Sequence, residues 1–152
     1  MKEFGNKILI VGIGNCGRTD DGLGWAFLDQ INEKLHGNMD YVYRYQLQIE
    51  DAELISHYGT VYFVDAHTHL WEDGFKLERC QPKANHGFST HELEPETVVY
   101  LSETLYNKTP DAFIFGISGV RFDLKIGLTK EAETNLSRAL EFFNENILHL
   151  VT

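Results

Sequence analysis

The stretch Lys7-Ile-Leu-Ile-Val-Gly-Ile-Gly-Asn-Cys-Gly-Arg-Thr-Asp-Asp-Gly-Leu-Gly24 decides the fold. Ile8–Val11 is a continuous apolar run closed by Gly12, the pattern of a strand buried on both faces. From Leu23 the period changes: Trp25, Leu28, Ile31 and Leu35 recur at helical spacing, and Gly37 follows as a stop. Working outward, Tyr41–Leu47 reads as a second strand and Asp51–His57 as a short helix burying Ala52, Leu54 and Ile55. Val61–Val64 is a third strand running into Asp65, and Gly74–Cys80 a short edge strand. Gln81–Glu94 is polar and irregular. Pro95 suits the first turn of a helix reaching Asn107, with Val98, Leu101 and Leu105 on one face. Ala112–Gly116 is a further strand, and Phe122–Leu128 a loop or strand. Thr129 is the expected N-cap of a last helix to His149, with Leu136, Leu140, Phe143 and Ile147 as its buried stripe. This order predicts an α/β fold: a three-layer α/β/α sandwich with a mostly parallel twisted sheet of about five strands and helices on both faces. No linker or repeat divides the chain, so residues 1–152 are expected to form a single domain.

The 152 residues suffice for a core without staples. With 13 basic and 23 acidic residues the formal net charge is −10, which argues against nucleic-acid or anionic-membrane surfaces. The 43% hydrophobic and 24% charged shares are those of a globular protein, not a disordered one. The only cysteines, Cys16 and Cys80, provide neither a disulfide framework nor a Cys-rich zinc site, so a reducing, cytoplasmic setting is expected. No signal-peptide core is seen, and no apolar run nears the ~18 residues of a membrane span.

Gly12-Ile-Gly-Asn-Cys-Gly17 matches the G-x-G-x-x-G spacing of dinucleotide sites directly after a strand. Two carboxylates, Asp20 and Asp21, would then sit beside the pyrophosphate and repel it. The second strand also ends in Tyr45-Gln46-Leu47, with no acid to hold a ribose. The simpler reading is a tight glycine turn, with the aspartates as N-cap and first-turn residues. That accounts well for one aspartate and less well for two.

In a parallel sheet ligands bind beyond the carboxyl ends of the strands. Asp20 and Asp21 follow the first strand there, and Asp65 ends the third, with His67 and His69 just beyond. His86 and His91 lie in the irregular segment. Asp and His donors suit a divalent metal such as nickel or zinc. A capped turn, a loop-closing Asp and surface histidines fit the same pattern. His36, His57 and His149 fall on expected helices away from this rim.

Ile10–Gly24, with its Gly-Ile-Gly-Asn-Cys-Gly-Arg-Thr-Asp-Asp-Gly core, resembles the N-terminal signature of the hydrogenase maturation endopeptidases. Gln46-Leu47 with Glu53-Leu54 and Phe63-Val-Asp-Ala66 is similar to that family's second block. Thr90-His91-Glu-Leu-Glu-Pro95 resembles its His-containing block. Gly116–Asp123 and Gly127-Leu-Thr129 resemble its C-terminal block. The resemblance implies a peptidase that trims the C-terminal extension from the large-subunit precursor of a nickel–iron hydrogenase. It implies metal ligation by Asp21, Asp65 and His91, with nickel carried by the precursor and no nucleotide or organic cofactor. Asp21 stands where many members carry Glu, a departure that keeps an oxygen ligand. His67 and His69 lie outside the family pattern and are expected to be polar loop residues. Cys16 and Cys80 match no family nucleophile, and Ser89 has no credible triad or nucleophile elbow. Water attack, metal-assisted or carboxylate-assisted, is the implied chemistry. The expected partner is the precursor, with a monomeric enzyme and no nucleic acid or membrane. A non-cleaving metal-recognition chaperone of the same precursor would use the same three ligands.

Overall fold

The computed structural model describes residues 7–35, 37–84 and 93–148. In chain order the elements are β1 (Ile8–Ile13), α1 (Leu23–Ile31), β2 (Met39–Arg44), α2 (Glu50–Ile55), β3 (Thr60–His67), β4 (Phe75–Arg79), α3 (Pro95–Tyr106), β5 (Asp111–Ser118) and α4 (Lys130–Phe143). They build a five-stranded sheet in the order β2-β1-β3-β5-β4. The first four strands in that order are mutually parallel, and β4 runs antiparallel along β5 at the edge.

β1 is buried along its whole length, as its unbroken apolar run predicts. Side chains of a strand alternate between faces. Ile8 and Ile10 accordingly join a core with Phe27 of α1 and Leu136 and Phe143 of α4. Leu9, Val11 and Ile13 join a second core with Ala52 and Ile55 of α2 and Val98 and Val99 of α3. The expected three layers are therefore present, with α1 and α4 on one face and α2 and α3 on the other.

The topology positions the site. From β1 the chain crosses to β2 on one side, then returns past β1 to β3 on the other. Right-handed crossovers in opposite directions put α1 and α2 on opposite faces of the sheet. The segments leaving β1 and β3 diverge, and a crevice opens between their carboxyl ends.

Several expected boundaries move for identifiable reasons. β2 starts at Met39 and stops at Arg44, because the Gly14 N–H takes the Arg44 carbonyl at 2.9 Å and Tyr45–Leu47 then leave the sheet. α1 stops at Ile31 and Asn32–Lys34 tighten into a 3-10 turn. Its buried stripe is Leu23, Gly24, Phe27, Leu28 and Ile31; Trp25 and Leu35 are only partly buried. Trp25 instead points its indole N–H at the Arg44 carbonyl, 3.0 Å away. On α3, Val98, Val99 and Ser102 face inward, whereas Leu105 is exposed, contrary to its expected burial. Thr129 caps α4 as expected, its hydroxyl accepting the Ala132 N–H at 3.1 Å. That helix buries Ala132, Leu136, Ala139 and Phe143, then widens into a π turn over Asn144–Leu148. Residues 122–128 form a loop that touches β-structure once, through a bridge of Arg18 with Lys125. Among the described residues no helix is long and apolar enough to cross a membrane.

Candidate active site

A cleft of about 300 Å³ lies where the topology places it, between the ends of β1 and β3. Ile13, Gly14 and Asp21 form one wall, Tyr45, Gln46 and Leu47 a second, and Leu93, Glu94 and Pro95 a third, with Asp65 among them. Two of the three expected ligands, Asp21 and Asp65, thus line one cleft. His91 and His86 lie outside the described residues. Among the described residues no group of three or more His, Cys, Asp and Glu is arranged to hold a metal.

Two glycines allow this wall to form. Gly14 has φ +148°, and a Cβ there would collide with the Asp21 carbonyl, which accepts the Asn15 N–H at 3.0 Å. Gly24 lets the first turn of α1 sit directly on the carbonyls of Ile13 and Val64, where a Cβ would have no room. Of the G-x-G-x-x-G match, Gly14 therefore serves the turn that delivers the Asp21 carboxylate, and Gly12 lets β1 lie close against Leu28 of α1. Acids line this crevice where a dinucleotide would need donors for its pyrophosphate.

The two adjacent aspartates part company. Asp20 is fully buried and faces away from the cleft, toward the loop before α4. Its carboxylate accepts the N–H groups of Val120 at 2.8 Å, Arg121 at 3.0 Å and Thr129 at 2.8 Å, and the Thr129 hydroxyl at 2.8 Å. Burial pushes this carboxyl up, but the hydrogen bonds from Thr129, Val120 and Arg121 outweigh it and hold it below the usual carboxylate range. Neither aspartate is a helix cap: α1 follows Gly22 without a side-chain cap. Thr19 beside them adopts φ 52°, a left-handed conformation rare for a β-branched residue. It is held by its N–H on the Lys125 carbonyl at 2.7 Å and its hydroxyl on the Asp123 carbonyl at 2.8 Å.

In the cleft, burial raises the Asp21 carboxyl, opposed by the Arg18 charge and the Asn15 amide. Asp65 is pushed up to about 7, first by burial, then by the charge of Asp21, with a further push from Glu94 and a partial offset from the Ala66 amide. Glu94 is a residue that the sequence reading missed. It occupies the N-cap position of α3 yet makes no side-chain cap, and it lines the cleft instead. An acid before a proline that starts a helix was the available signal. Gln46, on the β2–α2 connection, is a second missed lining residue. That connection is braced by Asp51, which accepts Arg44 Nε at 2.9 Å and the Gln48 N–H at 2.9 Å.

His67 at the end of β3 and His69 just after it are exposed, their rings tilted against Trp71 at centroid distances of 4.7 and 5.2 Å. His67 Nδ1 accepts the His69 N–H at 2.9 Å. Neither lines the cleft. Cys16 is exposed in the glycine turn. Cys80 is buried, and burial together with the charges of Glu96 and Glu78 pushes its thiol up to about 12. Burial and these neighbouring acids disfavour a thiolate there.

The fold is that of the hydrogenase maturation proteases. One structure of this class is a [NiFe] hydrogenase maturation protease HycI from Thermococcus kodakarensis KOD1, with TM-score 0.72 and 22% identity, covering 92% of this chain and 91% of that one. A second is the hydrogenase maturating endopeptidase HybD from E. coli, with TM-score 0.70 and 17% identity over 93% and 94% of the two chains. A third is a hydrogenase 2 maturation peptidase from a Thaumarchaeota archaeon, with TM-score 0.67 and 17% identity over 92% and 97%. No family model matches the sequence, and no curated protein matches it.

Proposed function

We propose that this chain is an endopeptidase of hydrogenase maturation, cutting the C-terminal extension from the nickel-loaded large-subunit precursor of a nickel–iron hydrogenase in the cytoplasm. The observation that carries the reading is the meeting of Asp21 and Asp65 in one cleft, in a fold shared with proteins named as such proteases. The charges of Asp21 and Glu94 add to the cost of ionising the buried Asp65, and a cation entering the cleft would relieve it. Carboxylate and imidazole donors suit nickel, so Asp21, Asp65 and His91 are the residues that would read the metal as cargo of the substrate. Hydrolysis adds water across the scissile C–N bond. Water is the attacking group in this reading, assisted by a metal or by a carboxylate of the cleft.

The test is incubation with nickel-loaded precursor followed by intact mass measurement. Loss of the C-terminal extension is the expected result, with metal-free precursor uncut under the same conditions. Chelation of the enzyme alone, with the chelator then removed, should leave activity unchanged. Binding of loaded precursor without cleavage would favour the chaperone reading instead.

A further inference from the structure

The two edges of the sheet are unlike. β4 carries Lys76, Glu78 and Arg79, all exposed, with Arg79 paired to Asp111 at 2.8 Å. Such charges are the usual guard against another chain adding to an edge. β2 is guarded less: its only charged residues are Asp40, which lies against Tyr58 Oη at 2.6 Å and Lys7 Nζ at 3.5 Å, and Arg44, which lies against Asp51 at 2.9 Å. The strand contains neither proline nor glycine.

The parallel register fixes which main-chain groups are open. The Ile8 N–H donates to Asn38 O at 2.8 Å and the Gly14 N–H to Arg44 O at 2.9 Å, and Ile10 and Gly12 pair with Tyr41 and Tyr43. Even-numbered residues of β2 thus turn their main chain to β1, while Tyr41 and Tyr43 turn theirs outward. No described residue pairs with their N–H groups; the Tyr43 carbonyl accepts Arg44 Nη1 at 3.0 Å and keeps its second lone pair. Beside this edge runs an aromatic row. Tyr41 contacts Tyr43 at a centroid distance of 6.0 Å, Tyr43 contacts Trp25 at 5.3 Å, and Trp25 contacts Tyr45 at 4.9 Å. Tyr45 lines the cleft, so edge and row lead into it without a break.

We infer that the open edge of β2 receives the substrate's C-terminal extension as an added strand. This rests on the peptidase reading above and deepens it. β2 runs toward the cleft. An extension that begins at a bond held in the cleft and continues along β2 runs the opposite way, which makes the pairing antiparallel. In that pairing Tyr41 and Tyr43 each offer a donor and an acceptor to one residue of the extension. Main-chain bonds give grip independent of sequence, and the aromatic row contacts alternate side chains.

Steady-state cleavage of nickel-loaded precursor by wild type, Tyr41→Pro and Tyr43→Pro tests this. Proline deletes an outward N–H and leaves the bonds to β1 in place, as edge strands tolerate. KM should rise about tenfold in each variant, the loss expected for one hydrogen bond and a blocked approach, with kcat far less affected. Tyr41→Val, which keeps the N–H, should raise KM less than Tyr41→Pro. Residue-resolved amide exchange of the wild-type protein is the second measurement, with a synthetic peptide of the precursor's extension as probe. Tyr41 and Tyr43 should become protected and Val42 should not change. Wild-type KM in both proline variants, or exchange at Tyr41 and Tyr43 unmoved by millimolar peptide, overturns the added strand alone. Protection already present in the free protein and dependent on its concentration assigns the edge to a second copy and also overturns it. A wild-type protein that leaves loaded precursor uncut overturns the peptidase reading, and this inference with it.

Discussion

Asp20 and Asp21 are neighbours on one 3-10 turn, yet the two sides of that turn are different chemical regions. On one side the Asp20 carboxylate is wrapped by four donors from the loop that precedes α4. On the other, Asp21 shares a cleft with Asp65 and Glu94. The first arrangement satisfies a buried charge and ties the C-terminal third of the chain to the N-terminal turn. The second sets the charges of Asp21 and Glu94 against the buried Asp65 carboxyl, which costs stability and, in the function proposed above, would be relieved by a cation. Partner count separates an acid satisfied within the fold from one left open to the cleft, where residue type and position along the chain do not.

Breaking each side in turn should produce opposite phenotypes. The largest effect is expected on activity. Asp21→Ala, Asp65→Ala and His91→Ala should each lower processing of nickel-loaded precursor by about 10²–10⁴-fold, the range for losing a group that acts on the reacting centre. Their melting temperatures should stay near that of wild type, since His91 falls in a polar segment and burial disfavours the charge of both aspartates. A large fall in melting temperature for His91→Ala would make it a structural residue.

Asp20→Ala should do the reverse. It leaves the donors of Val120, Arg121 and Thr129 without their acceptor and should cost about 3–5 kcal/mol in denaturant unfolding. Asp20→Asn, which keeps one acceptor oxygen, should cost less. Unfolding free energies within error of wild type for both variants would dissolve the distinction between the two aspartates.

The pH dependence of stability sharpens the comparison, because the two sides pull in opposite directions. Between the ordinary carboxylate value of 3.8 and about 7, folded protein holds the Asp65 proton more tightly than the unfolded chain does. Stability owed to this group therefore falls as pH rises through that window. Asp20 is held below 3.8, so its contribution is present above that value and is lost as pH falls through the lower, folded one. Melting curves of Asp65→Asn against wild type should show the variant gaining relative stability from pH 4 to about 7 and no further change above it. A difference that is flat across that window would mean that Asp65 titrates normally.

The smallest effect is expected outside the cleft. His67→Ala and His69→Ala should leave processing within about twofold of wild type, as for most exposed substitutions away from a site. A loss approaching that of His91→Ala would bring the histidines at the end of β3 into the ligand set.

Much of this molecule was legible along the chain because its signals are local. The unbroken run Ile8–Val11 can be buried only between two layers, and the change of period after Leu23 can only be a helix. Thr129 announced its cap and Pro95 its first turn. Asp21 and Asp65 were legible as candidates because acids just past buried strands fall at the ligand end of a parallel sheet. The fate of Asp20 was not legible. Its partners lie a hundred or more positions further along the chain, and no local pattern encodes which of two adjacent carboxylates they will claim. Trp25 and Leu105 were misplaced for a related reason: helical spacing defines a stripe, but the neighbouring layer selects the face that is buried.

The sequence by itself determined the layers, the order of elements and the placing of acids at strand ends, because period and turn chemistry act within a few residues. Only the tertiary structure decided the strand order that opens the crevice between β1 and β3, the arrival of Glu94 and Gln46 in it, and the place of β2 at the edge of the sheet. Those features depend on which surfaces meet across the sheet, and burial energy is gained only when segments far apart in the chain are packed together.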